Sequence, residues 1–86
     1  MVSKKTINMR KILVGSIYHH FKGHDYKVIS IAMHSETEEK MIVYENLETG
    51  QIWVRPYEMF NGMVDKEKYP EVKQKYRFEL KNEGGK

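Results

Sequence analysis

From Ser16 onward, apolar and polar positions alternate with a period near two over short runs, the spacing of strands rather than helices. The first run, Ser16-Ile-Tyr-His-His-Phe21, is dense in β-formers and ends in the turn Lys22-Gly23-His24-Asp25, where Gly23 can take a positive φ at little cost. Tyr26 to Met33 is the longest strand candidate. Its two alternating sets, Tyr26, Val28, Ser30, Ala32 and Lys27, Ile29, Ile31, Met33, are both largely apolar, so both faces are expected to be partly covered. A polar connection, 34–39, leads to a third run, Met41 to Leu47. Glu48-Thr49-Gly50 reads as a tight hairpin turn into Ile52-Trp-Val-Arg55. Pro56 cannot donate to a central ladder and suits the start of a helical turn, Tyr57-Glu-Met-Phe60, which Asn61-Gly62 stops. Residues 63–75 are charged, contain Pro70 and carry no assignable period. Tyr76 to Leu80 reads as the last strand.

The pattern predicts strands near 16–21, 26–34, 41–47, 51–55 and 76–81. The fold class is all-β: a small five-stranded antiparallel barrel of SH3-like type, or a curled meander, with one short helical turn. Residues 15–81 are expected to form a single β domain, preceded by a flexible basic arm, 1–14, and followed by a disordered tail, 82–86.

Length and charge sharpen this. Eighty-six residues allow one modest core. The absence of cysteine excludes a disulfide framework and a thiolate zinc site and fits a reducing compartment. No apolar stretch approaches the roughly 20 residues that span a bilayer, and no export signal is apparent, so the expected location is the cytoplasm, with no membrane partner. Lys4, Lys5, Arg10 and Lys11 give the first fourteen residues +4 without an acid, against +3 for the whole chain, so the remainder carries −1. Nucleic-acid affinity is therefore expected to be weak at most and to come through the N-terminal arm.

Several blocks, Tyr18-x-His-Phe-Lys-Gly23, Tyr26-x-Val28, Ala32-x-His-Ser-Glu-Thr37, Val43-Tyr44, Trp53-Val-Arg-Pro56 and Met59-Phe60, occur in one order. Over roughly residues 15–79 the chain resembles a bacterial family catalogued as domain of unknown function 1653, and Arg77-Phe78-Glu79 resembles that family's closing motif. The resemblance implies a compact β domain. It brings no function and no catalytic residue with it.

Two blocks carry candidate chemistry. His34, at a strand end beside Ser35 and Glu36, has an imidazole suited to acid, base or ligand work, or is part of a polar turn whose side chains bond the local backbone. Trp53 and Arg55 alternate onto one face of their strand. They either clamp an anion or base edge, or form a core Trp with an Arg that tethers a carboxylate such as Glu36. Tyr18, Phe21, Tyr26, Tyr44, Trp53, Tyr57 and Phe60 make an inventory fit for a stacking platform, although a small core uses such side chains as well. The four histidines do not make a convincing ligand set, so no metal site, catalytic residue or cofactor is assigned.

The reading that results is a non-catalytic binding module for a small anion, peptide or nucleic acid, with Tyr18, His20, His34, Glu36, Trp53 and Arg55 as its ligand-binding residues. The alternatives are a homo-oligomeric interaction subunit, such as a homodimer, and a small hydrolase using His20, His34 and Glu36. A chain this short walls off a deep cleft poorly, which weighs against the hydrolase.

Overall fold

The structure is a computed structural model and describes residues 10–82, with Asn82 through its backbone only. Five strands form one antiparallel sheet: β1 (Ile17–His20), β2 (Asp25–Met33), β3 (Lys40–Asn46), β4 (Ile52–Pro56) and β5 (Phe78–Asn82), with a single helical turn, α1 (Tyr57–Phe60), after β4. The spatial order is β4-β3-β2-β1-β5. The first four strands are a meander, and β5 returns to the free edge of β1.

The chain is mainly β, as its alternation predicts, and of the two expected architectures the curled meander forms. The sheet does not close into a barrel, because the chain between α1 and Phe78 carries β5 to the edge of β1 and not to β4. Curling is nevertheless strong. Four inter-strand spacings would put the edges of a flat sheet about 19 Å apart. Yet the Arg55 guanidinium on β4 lies 5.5 Å from the centroid of the Phe78 ring on β5.

A bulge in β2 contributes to this curvature. Val28 pairs with Tyr44 but Ser30 pairs with Val43, so Ile29 is an extra residue and the phase flips. Tyr26, Val28, Ile31 and Met33 consequently share the concave face by register with Tyr44 and Ile42. The double apolar alternation of β2 thus marks a bulge: Ile29, Ile31, Ala32 and Met33 all remain exposed.

Ile12, Tyr18, Val28, Ile42, Tyr44, Phe60 and Phe78 form the core on the concave side. The Phe60 and Phe78 rings stack with centroids 4.0 Å apart, and Tyr18 and Tyr44 meet Phe60 edge-on. Most of the aromatic inventory is used in this way. Of the segment expected as an arm, residues 1–9 lie outside the described residues. Residues 10–14 lie along the body: Ile12 is buried, its N–H donates to the Tyr57 hydroxyl at 3.0 Å, and the Leu13 N–H donates to the Tyr18 hydroxyl at 2.9 Å. Of the expected tail, residues 83–86 lie outside the described residues.

Residues 61–77 form an ordered strap across the concave side. Met63 bridges Tyr76, the Val64 N–H donates to the Lys75 carbonyl at 2.9 Å, and the Lys66 ammonium bonds the carbonyls of Val72 and Gln74. The Gln74 amide donates to the His19 carbonyl at 2.9 Å, tying the strap to β1. Among the described residues no helix is long and apolar enough to cross a membrane.

Candidate functional site

Where the strap passes the end of β1, it leaves a cavity of about 350 Å³ lined by His20, Phe21, Lys22, Arg55, Asp65, Lys68, Tyr69 and Arg77. Each wall has a local cause. His20 ends β1 and Phe21-Lys22 begin the turn that Gly23 closes at φ 116°, with the Gly23 N–H donating to the His20 carbonyl at 2.8 Å. Arg55 sits on the concave face of β4 opposite Ile42 and is aimed by its Nε–H, which donates to the Tyr44 hydroxyl at 3.0 Å. Asp65 shapes the strap by accepting the Glu67 and Lys68 N–H groups on Oδ1, presenting Lys68 and Tyr69. Arg77 is held through its backbone, its N–H on the Gly62 carbonyl and its carbonyl on the Phe21 N–H.

The cavity is electropositive. Four cations, Lys22, Arg55, Lys68 and Arg77, face one carboxylate, and none of the four lies within ion-pair distance of an acid among the described residues. Acids elsewhere are used otherwise. Asp25 on β2 binds the Lys81 ammonium at 2.6 Å and His19 Nδ1 at 2.7 Å, and these two bonds hold its carboxyl below the usual range. Two aromatic rings complete the wall, with Phe21 and Tyr69 edge-to-face at 5.0 Å and the Lys22 ammonium 5.4 Å from the Tyr69 centroid.

His20 is neutral near pH 7. Burial, and then the charges of Arg55, Lys22, His24 and Arg77, push its pKa down from 6.5 to about 4. The Lys22 N–H donates to Nδ1 at 3.1 Å. A backbone N–H can only donate, so Nδ1 is unprotonated and the neutral ring carries its proton on Nε2.

A stability signature follows. The unfolded chain protonates this histidine near pH 6.5 and the folded chain only near 4, so across that window the unfolded state binds more protons and stability falls as pH falls. The melting temperature is expected to drop between pH 6.5 and 4.5, and a His20→Gln variant to flatten the drop. An NMR titration of His20 with a midpoint near 6.5 would refute this account.

Of the residues expected from sequence, His20 and Arg55 meet at this cavity and the others do not. Tyr18 is buried beneath the sheet's concave face. Trp53 is on the edge strand at 50% exposure, so it is not the core tryptophan of one expectation, and Arg55 tethers the Tyr44 hydroxyl rather than Glu36. His34 and Glu36 lie in the β2–β3 connection, where His34 Nδ1 accepts the N–H groups of Glu36 and Thr37 at 3.1 and 3.2 Å. Among the described residues no group of three or more His, Asp or Glu side chains is arranged to hold a metal ion.

Sequence reasoning missed Lys22, Asp65, Lys68, Tyr69 and Arg77 as lining residues and named Phe21 only within the stacking inventory. Phe21 and Lys22 stand inside the Tyr18–Gly23 block and Arg77 opens the Arg77–Glu79 block, so those blocks held a signal. Asp65, Lys68 and Tyr69 had none, because they stand in a charged stretch without periodicity.

The family model described as Protein of unknown function (DUF1653) matches residues 16–80. The chain belongs to this family. His20, Phe21, Lys22, Arg55 and Arg77, all within the matched residues, reach the same cavity. No curated protein and no solved structure gives a significant match.

Proposed function

We propose that this member of the family is a non-catalytic binding module for a small, multiply charged anion held by Arg55, Arg77, Lys22 and Lys68. The observation that carries the reading is the gathering of four cations, none ion-paired to an acid among the described residues, around one cavity. Unneutralised like charges repel, and after burial, the larger cause, these charges lower the His20 pKa further. An anion relieves it. Guanidinium groups suit this work because their planar forks match oxyanions. The proton on His20 Nε2 adds a neutral donor. The residues that line the cavity include no serine, threonine or cysteine nucleophile, which favours binding over hydrolysis. We place the module in the cytoplasm, on the support of its cysteine-free sequence.

The test is thermal denaturation in phosphate or pyrophosphate against chloride at matched ionic strength. Ligand at 100 times its dissociation constant stabilises by about 2.7 kcal/mol. For a domain of this size that raises the melting temperature by about 10 °C or more. Equal melting in all three salts would overturn the reading.

A further inference from the structure

The cavity holds more than an anion requires. Four cations against one carboxylate leave a formal +3 with His20 neutral, which a monocarboxylate only dents and a phosphate monoester dianion largely offsets. Asp65 is the discordant member. Its Oδ1 is occupied by the Glu67 and Lys68 N–H groups, while Oδ2 makes no hydrogen bond among the described residues. A carboxylate beside an anion repels it, unless the same ligand also presents a donor such as a hydroxyl or an exocyclic amine. An aromatic ring shares the strap with it: Tyr69 is four residues along, its N–H donates to the Asp65 carbonyl at 2.9 Å, and its ring packs edge-to-face with Phe21. Lys22 and Lys68 lie 5.4 and 5.7 Å from the Tyr69 ring centre and Arg55 lies over Phe78, so the cavity joins cationic groups to a pair of rings and an acceptor and suits a ligand that combines an anionic group with a flat, donor-bearing one. The cavity, about 350 Å³, lies at the low end of the range of about 300–1,000 Å³ for small-molecule sites.

We propose, building on the anion-site reading, that the ligand is a mononucleotide, its phosphate between Arg55, Arg77 and Lys22 and its base against Tyr69 and Phe21, with a base or ribose donor on Asp65. His20 Nε2–H donates to the phosphate. Lys68, beside Tyr69 on the strap, supplies the remaining charge.

The proposal is tested by isothermal titration of the full chain with the monophosphates of adenosine, guanosine, cytidine and uridine, with ribose 5-phosphate and pyrophosphate as references. At least one nucleotide is expected to bind about 10-fold or more tightly than ribose 5-phosphate, the size of effect one base–aromatic stack carries. Its base protons should shift upfield in proton NMR from the Tyr69 and Phe21 ring currents, and Tyr69→Leu should narrow the gap between nucleotide and sugar phosphate. If that variant fails to fold, the base-proton shifts on the wild-type chain decide. Ribose 5-phosphate binding as well as all four nucleotides, without base-proton shifts, overturns the nucleotide and leaves the anion site standing. No binding by any phosphate compound overturns both. A dinucleotide binding more tightly than either of its mononucleotides overturns the free-nucleotide assignment in favour of single-stranded nucleic acid.

Discussion

Replacing Phe78 with alanine is expected to lower the melting temperature by about 12 °C or more and to weaken pyrophosphate binding in whatever fraction remains folded. Phe78 is 1% exposed, stacks on Phe60 at 4.0 Å and meets Tyr26 and Tyr44 edge-on at 5.7 and 5.6 Å. Truncating a phenylalanine so enclosed costs about 3–5 kcal/mol, because the surrounding rings close the void only partly. In a domain of this size each kcal/mol moves the midpoint by about 4–8 °C. The functional part of the expectation follows from position. Phe78 also touches His20, with centroids 4.6 Å apart, and carries the Arg55 guanidinium 5.5 Å from its ring centre. It is therefore the common support under two lining residues. A midpoint shift below about 5 °C, or a large shift with undiminished anion affinity in the folded fraction, would contradict that role.

Arg55→Met is expected to separate binding from folding. The methionine keeps apolar contact over Phe78 and removes both the charge and the hydrogen bond to the Tyr44 hydroxyl. The lost bond has a charged donor and contributes about 1.5–3 kcal/mol at most for this partly exposed group, so the melt should fall moderately while the fold persists. Arg55 is only partly buried, and its two Nη groups make no hydrogen bond among the described residues, so they are available to a ligand. Charged hydrogen bonds are worth about 1.5–3 kcal/mol, and pyrophosphate affinity should drop on the order of 10- to 100-fold. Paired melting and titration measurements read both quantities. A loss of 3–5 kcal/mol in stability with unchanged affinity would make Arg55 a structural residue and remove it from the site.

A net charge averaged along the sequence can hide a local concentration of charge. Assigning +4 to residues 1–14 left −1 for the rest, and so a body with little attraction for anions. The arithmetic holds, but it averages over the surface. Lys22, Arg55, Lys68 and Arg77 come from four separated stretches and gather at one cavity against the single acid Asp65, while other acids are engaged elsewhere: Asp25 with Lys81 and His19, Glu48 with His24. His34 and Glu36 failed to reach that site for the opposite reason. Residues adjacent in sequence and attractive as chemistry were spent on closing their own turn, with Glu38 at φ 63° and His34 Nδ1 accepting two N–H groups.

What the sequence determined by itself was local: five strands at nearly their expected bounds, the helical turn at Tyr57–Phe60, and turns where Gly23 and Gly50 take positive φ. Period-two alternation and turn chemistry act over a few residues, so they are legible in a single chain. The sequence also placed His20 and Arg55 among its candidates. Tertiary structure alone decided the rest. The bulge at Ile29 set which residues of β2 share a face with the core, and curling brought β4 within reach of β5. The return path of residues 61–77 kept the sheet open and made a charged stretch without period into a wall of the cavity. These are effects of pairing register and chain path between segments far apart in sequence, and no local period encodes which distant segments will meet.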